Sequence, residues 1–173
     1  MKKLFLTSIV LMGCSSAATV VSVTGGTYTI QAEDADVLSG LVVGSGAAGF
    51  NGTGFLDTTG SATYNFSGLD FASYTYTIDI TTYARTGNSS GGEISIDPGG
   101  STSFAQNSWT GAFTGYNLAT DEALTTASFT HTTSVNSHID EFDVTITATA
   151  IPEPSAMALL GLGGLAILAR RKR

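Results

Sequence analysis

The chain has 173 residues, of which only 12% are charged, about half the ~25% of an ordinary soluble protein. Its 26 Thr and 19 Ser fill the gap, and between Thr19 and Ile151 there are 13 acidic residues against one base, Arg85. Such a surface repels nucleic acid, which is bound by neutralising phosphate, and the wealth of β-branched and aromatic residues excludes general disorder.

The N-terminus reads as a secretory signal over residues 1–18. Lys2 and Lys3 form its positive end, Leu4 to Met12 its apolar run, and Ser16-Ala17-Ala18 a small-residue cleavage site that would release a chain beginning at Thr19. A rival reading centres on Leu11-Met12-Gly13-Cys14, which is similar to a lipoprotein box with Cys14 as the acylated residue. Cys14 is the only cysteine. No disulfide can therefore form within the chain, and Cys-based metal or nucleophile sites are excluded.

From residue 19 to about 150 the pattern is that of strands. Ala62, Tyr64 and Phe66 alternate with Thr63 and Asn65. Tyr74, Tyr76, Ile78 and Ile80 alternate with Thr75, Thr77, Asp79 and Thr81. Ile94 and Ile96 flank Ser95, and Phe142, Val144, Ile146 and Ala148 alternate with Asp143, Thr145 and Thr147. A period of two marks strands with one buried and one wet face. Gly-rich turns separate them at residues 25–26, 44–49, 87–92 and 97–100. With no sustained helical period in this stretch, the expected fold is an antiparallel sandwich.

The chain then reads Pro152-Glu153-Pro154, an uncharged run of 15 residues from Ser155 to Ala169, and Arg170-Arg171-Lys172-Arg173. The run is short against the ~20 residues of a typical membrane-spanning helix, and the basic tail would hold that end on the cytoplasmic side.

Several side chains of the middle stand out. Gln31 and Glu33 are two apart and would leave the same face of a strand. Trp109 is the only Trp, and it lies in a polar segment suited to a surface. His131, in phase with Phe129, reads as a core histidine. His131 and His138 lack the partners of a nucleophilic triad or of a zinc helix motif. Paired carboxylates of a glycosidase stay open, because any two of the acids could meet in space. Arg85 reads as one half of an ion pair.

Two resemblances sharpen this. The Pro-Glu-Pro triplet, short Gly-containing apolar run and basic tail over residues 152–173 resemble the PEP-CTERM sorting signal of Gram-negative bacteria. The resemblance implies export, transient retention in the inner membrane through a C-terminal helix, and processing near Pro152, Glu153 and Pro154 by an exosortase-type protease. Such proteins accompany exopolysaccharide and biofilm production. An ordinary C-terminal anchor is the alternative.

The second resemblance covers roughly residues 26–149. Tyr28-Thr29-Ile30-Gln31-Ala32-Glu33, then Gly49-Phe50-Asn51-Gly52-Thr53-Gly54-Phe55, then Ala84-Arg85 at a strand end and His138-Ile139-Asp140 follow one another. The succession is similar to family 6 and family 35 carbohydrate-binding modules. It implies an all-β, galactose-binding-like sandwich (a jelly roll) over residues 19–151. It also implies a structural calcium ion on Gln31, Glu33 and Asp140, and a glycan site at Phe55, Trp109 and His138 with Asn136 nearby. Gln31 departs from the usual acid, Phe55 lacks the usual tyrosine hydroxyl, and His138 replaces an asparagine.

The expectation is an exported surface or matrix protein that holds polysaccharide without cleaving it. The alternatives are a matrix spacer that binds no glycan and a polysaccharide-active enzyme. Mass spectrometry of the exported protein should find a chain that begins at Thr19, or at acylated Cys14, and is cut near residues 152–154; an intact 173-residue chain recovered from the cytosol would exclude this reading.

Overall fold

The structure, a computed structural model, describes residues 19–20, 26–87, 92–103, 109 and 111–152. The expected signal and C-terminal helices lie outside these residues. Among the described residues no helix is long and apolar enough to cross a membrane.

Two sheets form a sandwich. Their strands are β1 (Thr19–Val20), β2 (Thr27–Gln31), β3 (Val37–Ser39), β4 (Val42–Gly44), β5 (Phe55–Asp57), β6 (Gly60–Ser67), β7 (Tyr74–Arg85), β8 (Glu93–Asp97), β9 (Ser101–Ser103), β10 (Thr114–Leu124), β11 (Ser128–Thr133) and β12 (His138–Ala150). The first sheet runs β1-β6-β11-β8-β9 with β3 also on β6. The second runs β10-β7-β12-β5-β4 with β2 also on β12. All pairings are antiparallel except that of β1, which joins β6 in parallel.

The alternation read from sequence faces inward as expected except at Tyr74, which is exposed at the start of β7. Ala62, Tyr64 and Phe66 oppose Tyr76, Ile78, Ile80, Phe142, Val144 and Ile146, all buried. Burying each large apolar side chain contributes roughly 1.5–3 kcal/mol. The centre is aromatic: Tyr64 stacks on Phe129 at 4.7 Å and meets Phe142 edge-on at 5.0 Å. The Tyr64 hydroxyl donates to the Ala32 carbonyl at 2.7 Å, so the wet end of a core ring is satisfied by the turn that follows β2. Burial, followed by Glu33 and Asp34, raises the phenol's pKa well above its ordinary value, which keeps it a donor.

β10 escapes the sequence pattern because it is irregular. Its register against β7 shifts between Asn117 and Ala119 and again before Glu122, and Asp121 has φ 54°. Leu118 and Ala119 are therefore buried in succession, and bulges of this kind erase a period of two.

His131 confirms its core reading. It is fully buried on β11 with its ring edge-on to Phe142 at 5.3 Å, and neither ring nitrogen has a hydrogen-bond partner among the described residues. Burial lowers its pKa to about 3, whereas the unfolded chain titrates near 6.5. Between those values the unfolded state binds the extra proton, so this group's contribution to stability falls as pH drops below 6.5. The slope approaches about 1.4 kcal/mol per pH unit. We expect His131→Leu to gain melting temperature relative to the native chain progressively from pH 7 to pH 4. A difference that stays constant with pH would show that the imidazole is not held neutral.

Candidate functional site

The loop ends of β7 and β12 meet at one pole, where Arg85, the last residue of β7, pairs with His138, the first of β12. One step along, the register shifts between Ile139 and Glu141. This bulge leaves Asp140 out of the ladder and buries His138, Ile139 and Asp140 consecutively. Bulges re-aim side chains, and here Asp140 meets the glycine-rich loop between β4 and β5. Its Oδ1 accepts from the Asn51 amide at 2.8 Å.

Gln31 and Glu33 do not share a strand face. β2 stops at Gln31, and Ala32–Asp34 form a single 3-10 turn. The turn nevertheless delivers both side chains to the same loop. Glu33 Oε1 accepts from the Thr53 amide (2.8 Å), the Thr53 hydroxyl (3.1 Å) and the Gly54 amide (2.9 Å). Gln31 Nε2 donates to Glu141 at 3.3 Å, which orients the amide. Gly52 has φ +71°, and a Cβ there would lie 2.5 Å from Gln31 Oε1 and 2.6 Å from Glu33 Oε1. Only glycine leaves these oxygens room.

Two buried oxygens in this cluster, Gln31 Oε1 and Glu33 Oε2, lack a partner among the described residues. Unpaired buried polar atoms cost stability unless an ion or water meets them. The Asp140 carboxyl is raised to about 6, first by burial and then by Glu141 and Glu33, against the lowering effects of the Asn51 amide and Arg85. These donors are all oxygen, the set a hard cation takes, and the accumulated negative charge asks for one. Calcium fits these residues. No group of three His, Cys, Asp or Glu side chains placed to hold a metal occurs among the described residues; this set has an amide in place of a third acid.

The predicted glycan residues separate. Phe55, Trp109 and His138 come together around a cleft of about 500 Å³ that Asp57 and the Gly44–Ala48 loop complete, within the ~300–1,000 Å³ range of small-ligand clefts. Asn136 is exposed outside that lining, and its carbonyl accepts from the Thr86 hydroxyl at 2.7 Å. Phe55 is only 2% exposed, while Trp109 is 37% exposed. The imidazole of His138 lies 4.3 Å from the Phe55 ring and 4.6 Å from Trp109. It thus takes the contacts that an aromatic sandwich would give to a sugar ring. Trp109 alone keeps an accessible face. Its indole packs on Gly87, where a Cβ would collide with it.

Among the described residues Arg85 is not half of an ion pair. Its guanidinium is 1% exposed and donates through Nε to His138 Nδ1 at 3.3 Å and through Nη1 to the Gly111 carbonyl. It also lies 4.2 Å over the Phe113 ring. Burial lowers its pKa, opposed by Asp140 acting through space. Because Nδ1 accepts, Nε2 carries the His138 proton and faces Asp57 at 3.7 Å. The pKa of His138 is lowered by burial, with Asp57 raising and Arg85 lowering it. The neutral donor Nε2–H and the Asp57 carboxylate are therefore the polar pair of the cleft. Asp57 had no signal in the sequence beyond its place two residues after the Gly49–Phe55 stretch.

Residues 150–173 match the PEP-CTERM protein-sorting motif. No curated protein matches the sequence. Among solved structures, a family 35 carbohydrate-binding module from Clostridium thermocellum superposes with a TM-score of 0.51 and 18% identity, covering 69% of this chain and 97% of that one. The C-terminal family 6 module of LamC, a marine laminarinase from Zobellia galactanivorans, gives 0.50 and 15%, covering 69% and 99%. The chain also matches a GH26-CBM35 β-(1,4)-mannanase from Podospora anserina at 0.49 and 20%, covering 75% of this chain but only 29% of that one. The protein therefore joins a β-sandwich with the fold of family 35 and family 6 carbohydrate-binding modules to a PEP-CTERM sorting motif.

Proposed function

We propose that the protein is exported, is held at the inner membrane by its C-terminal motif until an exosortase-type protease cuts it, and then serves at the cell surface or in the extracellular matrix by holding polysaccharide without cleaving it. The observation that carries the binding half is the half-exposed Trp109 face on a cleft whose wall offers one donor, His138 Nε2–H, and one acceptor, the Asp57 carboxylate. A sugar has an apolar C–H face and a rim of hydroxyls. The first packs on an aromatic ring, and the second pairs with the donor and the acceptor. One accessible ring gives weak single-site affinity, and many copies on one surface would multiply it through avidity.

Calcium on Gln31, Glu33 and Asp140 would offset the carboxylate charge and tie the 51–54 loop to the sandwich. The contact of His138 with both rings favours a second reading, a matrix spacer that binds no glycan, and one experiment divides the two. On a broad polysaccharide panel, the exported protein should be retained by at least one polymer. Trp109→Ala should weaken that retention by roughly tenfold or more, about 1.4 kcal/mol, with melting unchanged. No retention on any polymer would select the spacer.

The calcium site has its own measurement. Excess calcium should raise the melting temperature by several degrees over EDTA, since a ligand at ~100 times its Kd contributes about 2.7 kcal/mol. Glu33→Ala should abolish the increment. Equal melting in calcium and EDTA would remove the ion from this reading.

A further inference from the structure

β12 runs from His138 at the cleft to Ala150 at the far pole, and thirteen antiparallel residues span about 40 Å. At that far pole the chain leaves the sandwich: the Ile151 amide donates to the Ser73 carbonyl at 2.9 Å, and Pro152 follows. β1, where the N-terminal segment joins the fold, pairs with Phe66 and Ser67 at the same pole.

The surface around this exit is apolar. Phe71, Tyr74 and Ile151 are 37%, 39% and 43% exposed. The two aromatic rings are not loose. Phe71 packs edge-on to the buried Tyr76 ring at 5.1 Å, and Tyr74 lies 6.2 Å from the same ring. The Tyr76 hydroxyl accepts from the Asp70 amide at 2.8 Å, which fixes the turn that carries Phe71. In a domain with 13 acids, Asp70 is the one charged residue of the stretches 67–76, 124–128 and 146–152. Its carboxylate is turned onto its own loop, where it accepts from the Ala72 amide at 3.0 Å.

The length of the tether decides what meets this surface. Only residues 152–154 separate Ile151 from the uncharged run that begins at Ser155, and three residues extend to about 11 Å at most. If that run is in a bilayer, the pole cannot leave the headgroup region. Exposed aromatic rings on a nearly uncharged surface suit that region, where amphipathic aromatics concentrate.

We propose that the Phe71–Tyr74–Ile151 surface rests on the lipid headgroups of the membrane while the unprocessed chain is anchored, and so points the Trp109 cleft away from the bilayer. This rests on the anchorage read above, and the experiment separates the two. The full unprocessed chain is reconstituted into phosphatidylethanolamine and phosphatidylglycerol vesicles that contain lipid brominated near the headgroup. Phe71→Trp and Tyr74→Trp are each made with Trp109→Phe, so that one indole reports one place. Flotation measures anchorage, and bromine quenching measures contact.

The expected result is that all chains float and that indoles at 71 and 74 are quenched roughly threefold more than Trp109 of the unaltered chain. Floating chains with equal quenching at both poles, or none at either, would overturn the surface contact and leave anchorage standing. Chains that fail to float would overturn both.

Discussion

The packing of Tyr64 between Phe129 and Phe142 ties the two sheets to each other and the core to the site. Ring contacts of this geometry add roughly 0.5–1.5 kcal/mol to the area they bury. The phenol hydroxyl then reaches past the core to the Ala32 carbonyl. Ala32 opens the 3-10 turn whose next residue is Glu33, so a core contact sets the position of an acid that organises the 51–54 loop.

β12 carries that order along its whole length. It pairs with β7 over nearly every residue, and on its other edge it holds β2 and β5. Its first residues face the cleft and its last lead to the sorting motif. Because strand geometry is stiff, the two poles stay apart, with the Trp109 cleft at one end of β12 and the sorting motif following the other. The bulge at residues 139–141 re-aims a side chain at the cleft end as a regular strand could not. It turns Asp140 towards Asn51 while Ile139 stays in the ladder opposite Leu56 of β5.

The site pole concentrates groups that are costly to bury. Arg85, His138 and Asp140 lie within one bulge and one strand end, and each is shifted towards its neutral form by burial. Mutual contacts offset part of that cost: Arg85 meets His138 Nδ1 and the Phe113 face, and Asp140 meets an amide, while Arg85 Nη2 has no hydrogen-bond partner among the described residues. The same contacts narrow the cleft. A histidine that must meet Arg85 is held against both aromatic rings, leaving Trp109 as the accessible platform.

From sequence alone, the all-strand class, the inward set on β6, β7 and β12, the core position of His131 and the C-terminal motif were legible. Each is a local pattern, either a period of two imposed by the pleat or a run of residues fixed in order. The sandwich partners of those strands, the bulged β10, the three-residue strands β3 to β5 and the turn after Gln31 were not legible. Irregular or very short elements carry no period, and their shape is imposed by the strands they lie against. The oxygen cluster was half legible, since Gln31, Glu33 and Asp140 could be named but the roles of Gly52, Asn51 and Glu141 depend on a loop folding back across β12. The meeting of Arg85 with His138, 53 residues later in the chain, was decided only by the antiparallel register of β7 and β12. That contact gathers Arg85 and His138 into a single buried cluster, because burial makes each polar group seek the nearest partner and sequence separation sets no limit on which one that is.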